Sequence, residues 1–61
     1  MNKQAYLNRC MGQDAEWLRA SAANPAPGMS KMHIALQLIA ARRKDRIRAY
    51  YAGVAAEEGW A

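Results

Sequence analysis

Residues 24–30, NPAPGMS, decide how this chain folds. Two prolines and a glycine cannot continue a helix, and the residue before each proline is pushed toward an extended backbone. The stretch therefore predicts a turn between two helical regions. Ser30 ends the turn and is a suitable N-cap, since its hydroxyl can accept from the first unpaired amides of a following helix.

The residues on both sides of this turn favour helix. Fourteen of the 61 residues are alanine, leucine, arginine and methionine recur, and β-branched residues are few. A long helix is predicted over 31–58, with Gly59 as a left-handed terminator and Trp60 folded back near Ala55. Gly53 weakens this helix by about 1 kcal/mol relative to alanine without ending it.

The region before the turn predicts a first helix over about 2–23, with Asn2 as its cap. Gly12 and Asp14 leave two readings open there: one continuous helix, or two short helices with Asp14 capping the second. In either case 61 residues allow a single small helical domain, 1–61. We expect an all-α fold, an antiparallel helical hairpin or its three-helix variant.

The spacing of apolar residues predicts how the helices pack. At 100° per residue one stripe of the long helix collects Met32, Leu36, Ile39, Ala40, Ile47, Tyr50 and Val54. The first region offers Leu7, Cys10, Met11, Trp17, Leu18 and Ala22. Antiparallel pairing would set Leu18 near Leu36 and Leu7 near Ile47. Arg43 would fall inside this seam, where its guanidinium must reach solvent or pair with Asp14 or Glu16.

A second apolar set, Ile34, Leu38 and Ala41, is predicted on the opposite side of the long helix. One partner helix cannot cover both sides, so something else must cover this set. A second copy of the chain would do so and would also enlarge a small core, so we expect a homodimer through these residues. The alternatives are a folded-over N-terminal segment within one monomer, or a dedicated foreign partner.

The segment ARRKDRIRAYY, residues 41–51, holds the whole net charge of +4, because the charges outside it cancel. On the predicted helix its cations straddle the seam, as flanking charges do in coiled coils. Nucleic-acid-binding helices more often gather cations on one open face. A solvated face is the simplest interpretation of such a segment. If it binds a partner, the predicted contact residues are Arg42, Lys44, Arg46, Arg48 and Tyr51.

Catalytic and metal-binding patterns are missing from the sequence. Cys10 and His33 each occur once, whereas a zinc site needs about four ligands. Glu57 and Glu58 are adjacent at a helix end, and no glycine-rich phosphate loop is present. We therefore expect a protein that is not an enzyme, with no cofactor, no metal and no small-molecule substrate.

The remaining function classes are binding classes. The first hypothesis is a small regulator or inhibitor, of the kind that phages and mobile elements encode, docking its basic helix on an acidic protein or nucleoprotein. The second is DNA or RNA binding through residues 42–48, and the third is a structural assembly subunit. A single cysteine, a polar N-terminal region and apolar runs too short for a bilayer predict a cytoplasmic protein, in the host cytoplasm if phage-encoded, without a membrane partner.

Overall fold

The computed structural model describes residues 2–59, which form three helices and no strand. α1 spans Lys3–Met11, α2 spans Ala15–Ala23 and α3 spans Lys31–Glu58. The predicted all-α class is confirmed, and α3 begins and ends where the sequence predicts. Within residues 2–59, none of the helices combines the length and apolarity needed to cross a bilayer.

The starts of α1 and α3 are fixed by the predicted caps. Asn2 Oδ1 accepts a hydrogen bond from the backbone N–H of Ala5 at 2.7 Å. Ser30 Oγ accepts from the backbone N–H of His33 at 3.2 Å. Each bond satisfies one of the amides that a helix leaves unpaired at its N-terminus. The start of each of these two helices is therefore set by a residue next to it.

The end of α3 follows the same local logic. Gly59 adopts a left-handed backbone with φ 75°, and its N–H donates to carbonyls of the last turn. Gly53 lies inside α3 and does not interrupt it. The predicted contact between Trp60 and the last turn lies outside the described residues.

The first region is broken into two helices, which resolves the alternative at Gly12. Gly12 ends α1 with φ −83° and ψ −5°, a conformation open to any residue. Asp14 stands at the N-cap of α2 with an extended backbone, but its side chain makes no capping hydrogen bond. The break therefore does not depend on a glycine-only conformation or on a strong cap.

Contacts between α1 and α3 show that these helices run in the same direction. The ring of Tyr6 lies 4.4 Å from that of His33, and its hydroxyl accepts from Gln37 Nε2 at 3.0 Å. Further along both helices, Lys44 Nζ donates to the carbonyl of Met11 at 2.8 Å. Because residue numbers rise together in both helices, α1 is parallel to α3.

α2 runs the other way. Its Arg19 contacts Asp45 of α3 at 2.7 Å, and its C-terminus leads through the 24–30 turn back to the start of α3. The predicted single antiparallel hairpin is therefore not what the chain forms, since only α2 is antiparallel to α3. α1 and α2 instead lie together against the first half of α3.

The core forms where the three helices meet. Its buried apolar residues come from all three helices and are Leu7, Cys10, Ala15, Leu18, Leu36, Ala40 and Ala41. Five of the seven belong to the predicted seam residues. Small alanines on α2 and α3 let the helix backbones approach closely.

Met11 of the predicted seam packs against this core. Five other large residues of the predicted seam are exposed, so that part of the prediction is wrong. Their exposed fractions run from 40 to 66%, for Trp17, Met32, Ile39, Ile47 and Tyr50. The buried face of α3 is centred on Gln37, Ala40 and Ala41, which rotates it by somewhat less than one 100° residue step from the predicted seam. Arg43 is exposed for the same reason.

The length of α3 explains what its own chain leaves uncovered. At 1.5 Å per residue, α3 is about 42 Å long, whereas α1 and α2 are each about 13 Å. The molecule measures 47 × 22 × 13 Å, so its long dimension is that of α3. The second half of α3 extends beyond the layer that α1 and α2 form.

Candidate partner-binding surface

The five cations of residues 42–48 do not form one surface. At 100° per residue, the contacts made by His33, Gln37 and Lys44 place α1 on one side of α3, and the Asp45 contact places α2 beside it. Arg42 and Arg46 lie on the side that neither helix covers, and both are exposed. The structure therefore separates cations that the sequence groups together.

Lys44 is used inside the fold. Its ammonium donates to the carbonyl of Met11, one of the last carbonyls of α1, and the bond is partly buried. A cation at a helix C-terminus also interacts favourably with the helix dipole. Lys44 thus holds the end of α1 against α3.

Arg48 lies on the opposite edge of α3 from Arg42. Together with Asp14, Glu16 and Arg19 it lines a polar recess at the start of α2. Two carboxylates and two guanidiniums share this recess, so its charges are balanced locally. Arg48 faces acidic groups of its own chain.

The acidic residue of the basic segment is also engaged. Asp45 pairs with Arg19 of α2 at 2.7 Å, and about half of each side chain is exposed. The sequence predicts that the Arg43 guanidinium reaches solvent or pairs with Asp14 or Glu16, and Arg43 is exposed. The rotation of α3 makes Asp45 the charged residue that contacts α2.

Apolar side chains accompany the arginines on the open side. Leu38 is 42% exposed and Ile39 is 40% exposed, each within one turn of Arg42. We call Leu38, Ile39, Arg42 and Arg46 the docking patch. It presents two guanidiniums beside two aliphatic side chains on one face of a rigid helix.

The residues predicted for self-association are also divided. Ala41 is buried in the core of one chain at 1% exposure, and Ile34 is partly buried. Leu38 alone among the three is exposed. The α1 and α2 layer, a folded-over N-terminal segment within one monomer, supplies much of the cover that the homodimer prediction assigns to a second copy.

Two tyrosines extend the exposed surface beyond the docking patch. Tyr50 and Tyr51 are 66% and 63% exposed, and their rings meet edge to face with centroids 5.4 Å apart. Tyr51 was a predicted contact residue and is free to act as one. Tyr50 was expected in the core and is not there.

Cys10 and His33 have structural partners. Cys10 is buried among apolar residues. His33 stacks on Tyr6, and its Nδ1 lies 2.9 Å from Ser30 Oγ. Across residues 2–59, no three side chains of the metal-binding types come together.

Gln37 is a buried polar residue that the hydrophobic pattern does not predict. It is 1% exposed, and its Oε1 has no hydrogen-bond partner among residues 2–59. Hydrophobic spacing does not reveal such a position, because Gln37 and Lys44 are polar residues on the buried face. The one sequence feature consistent with their position is spacing: Gln37 lies three residues before the buried Ala40, and Lys44 lies four residues after it.

Comparison of the chain with protein-family models, with curated proteins and with solved structures gave no match. Function must therefore be inferred from the geometry and charge of these surfaces.

Proposed function

We propose that this chain is a non-catalytic binding protein, a small regulator or inhibitor that places its docking patch on an acidic surface of another protein or nucleoprotein. One observation supports this most: Arg42 and Arg46 stand beside Leu38 and Ile39 on the side of α3 that the chain does not cover. Its single buried thiol fits the reducing cytoplasm as the place of action.

The composition of the patch favours a protein partner. Arginine is enriched at protein interfaces, where its planar guanidinium pairs with carboxylates through two parallel hydrogen bonds. Leu38 and Ile39 supply apolar area that a partner can remove from water. Binding would therefore combine charge pairing at Arg42 and Arg46 with burial of two aliphatic side chains.

Nucleic acid is a second candidate, and a specific observation favours it. Arg42, Arg43 and Arg46 are all exposed, and the helical phase sets them on one side of α3. Such an open row of guanidiniums suits phosphates better than the straddling arrangement expected from the sequence. Exposed Leu38 and Ile39 have no role in a phosphate contact, so we rank the protein partner first.

A capture experiment with charge-reversal variants tests the hypothesis that the docking patch binds a protein. Tagged wild type and an Arg42→Glu/Arg46→Glu variant are used to capture partners from nuclease-treated extracts of the producing cells. The matched control is Lys3→Glu/Lys31→Glu, which changes net charge equally at exposed residues at the starts of two helices. A protein kept by wild type and control but lost by the variant is then purified and titrated directly.

The same variants separate the two candidates. If phosphates are the ligand, affinity for duplex DNA or single-stranded RNA falls steeply with salt, and Arg42→Glu/Arg46→Glu abolishes a gel shift that the control retains. If wild type gives no gel shift at low salt, the nucleic-acid hypothesis is wrong. Retention of the same captured proteins by the Arg42→Glu/Arg46→Glu variant contradicts the protein reading.

A further inference from the structure

The second half of α3 has an apolar stripe that neither α1 nor α2 covers. We call residues 46–58 the free arm. Residues 45–53 are all exposed, including Ile47 at 48% and Tyr50 at 66%. An isolated helix of this length is marginal in water, and Gly53 weakens it further. Cover from another helix would therefore stabilise the arm.

The spacing from Arg43 through the free arm is that of a two-helix seam. Arg43, Ile47, Tyr50, Val54 and Glu57 follow one another at intervals of four, three, four and three residues. This is the a/d pattern of helices that pack side by side. We call these five residues the arm stripe. Its centre is apolar or aromatic, and its two ends are charged.

The charges at the two ends are opposite and equally placed. Arg43 lies seven residues before Tyr50, and Glu57 lies seven residues after it. Two identical arms that run antiparallel about Tyr50 would therefore set each arginine end against the other arm's glutamate end. Parallel arms would place like charges together, which is unfavourable.

We propose that the arm stripe is a self-complementary interface, on which two copies of this chain pair antiparallel about a twofold axis near Tyr50. Arg43 of each copy meets the Glu57 end of the other, while Ile47, Tyr50 and Val54 leave solvent between them. A chain of 61 residues has little surface to bury alone, so pairing also enlarges its core. This surface differs from the one that the sequence predicts through Ile34, Leu38 and Ala41.

The arm stripe adjoins the docking patch along one edge of α3. At 100° per residue, Leu38 and Arg42 lie on the side away from the stripe, whereas Ile39 and Arg46 flank it, with Ile39 within about 20° of Tyr50. A dimer formed through the arms keeps Leu38 and Arg42 open. It would present two docking patches, one from each copy.

Sedimentation equilibrium of the full chain tests the pairing. Wild type is expected to sediment as a dimer that dissociates on dilution. Arg43→Glu and Glu57→Arg should each weaken the dimer by roughly tenfold or more, because both symmetry-related pairs become repulsive. The double variant Arg43→Glu/Glu57→Arg should restore it. Lys3→Glu, an exposed change on α1 with the same charge difference as Arg43→Glu, should leave the dimer intact.

Disulfide trapping tests the direction of pairing. In a Cys10→Ala background, Arg43→Cys and Glu57→Cys chains are mixed under oxidising conditions, with circular dichroism confirming that both are helical. Antiparallel arms predict a bond between position 43 of one chain and position 57 of the other. The proposal is overturned if wild type stays monomeric up to its solubility limit, if the double variant is not restored, or if Arg43→Cys chains link mainly to themselves.

Discussion

Replacing Leu18 with alanine tests whether the three-helix packing holds this protein together. Leu18 is 0% exposed and belongs to the cluster that joins α2 to α3. Leucine-to-alanine changes at fully enclosed positions cost about 2–5 kcal/mol, the sum of lost burial and a cavity left behind. A domain of 61 residues has a total unfolding free energy of about 3–9 kcal/mol. Leu18→Ala should therefore remove a large share of the stability.

Leu38→Ala is the matched control, because it deletes the same atoms on a side chain that is 42% exposed. Its expected cost is below about 1 kcal/mol, since much of the leucine is already in water and no closed cavity forms. Urea unfolding followed by far-ultraviolet circular dichroism, at one fixed low protein concentration, gives both values. Equal losses for the two variants would refute the packing described here. A loss at Leu38 that becomes large when the measurement is repeated at higher protein concentration would return Leu38 to a self-association surface.

Two further changes probe backbone and buried polar groups. Gly28 has φ +85° with open space around it, so Gly28→Ala should lower the unfolding free energy by about 1 kcal/mol through backbone strain alone. Gly12→Ala is its control and should change stability by less than about half of that, because φ there is negative; the reverse order in urea unfolding would contradict this. Gln37→Met removes a buried amide with an unpaired oxygen and should raise the unfolding free energy by about 1 kcal/mol. A decrease of similar size in the unfolding free energy would show that the hydrogen bond from Gln37 to Tyr6 contributes more to stability than the unpaired Oε1 costs.

The sequence could place the ends of α3 and the start of α1. Ser30, Gly59 and Asn2 act through hydrogen bonds and backbone angles within a few residues of themselves. Such signals do not depend on the rest of the chain. The turn over 24–30 belongs to the same class, because proline and glycine limit the backbone wherever they stand.

The candidate surface was only partly predictable. The sequence identified the basic segment, and Arg42 and Arg46 do lie exposed on α3. It could not show that Lys44 would bond to Met11 or that Arg48 would line a polar recess with residues of α2. Those partners come from α1 and α2, whose positions follow from packing between segments far apart in the chain.

By itself the sequence determined that this protein is helical, where its longest helix begins and ends, and that its charge excess lies in residues 42–48. Only the tertiary structure decided that the chain reverses direction between α1 and α2, after Gly12, and which face of α3 is buried. α3 carries apolar residues on nearly every side, so its own periodicity does not select one face. The selection comes from Leu7, Leu18 and the small alanines that fit against one another, an interaction among all three helices that no single segment contains.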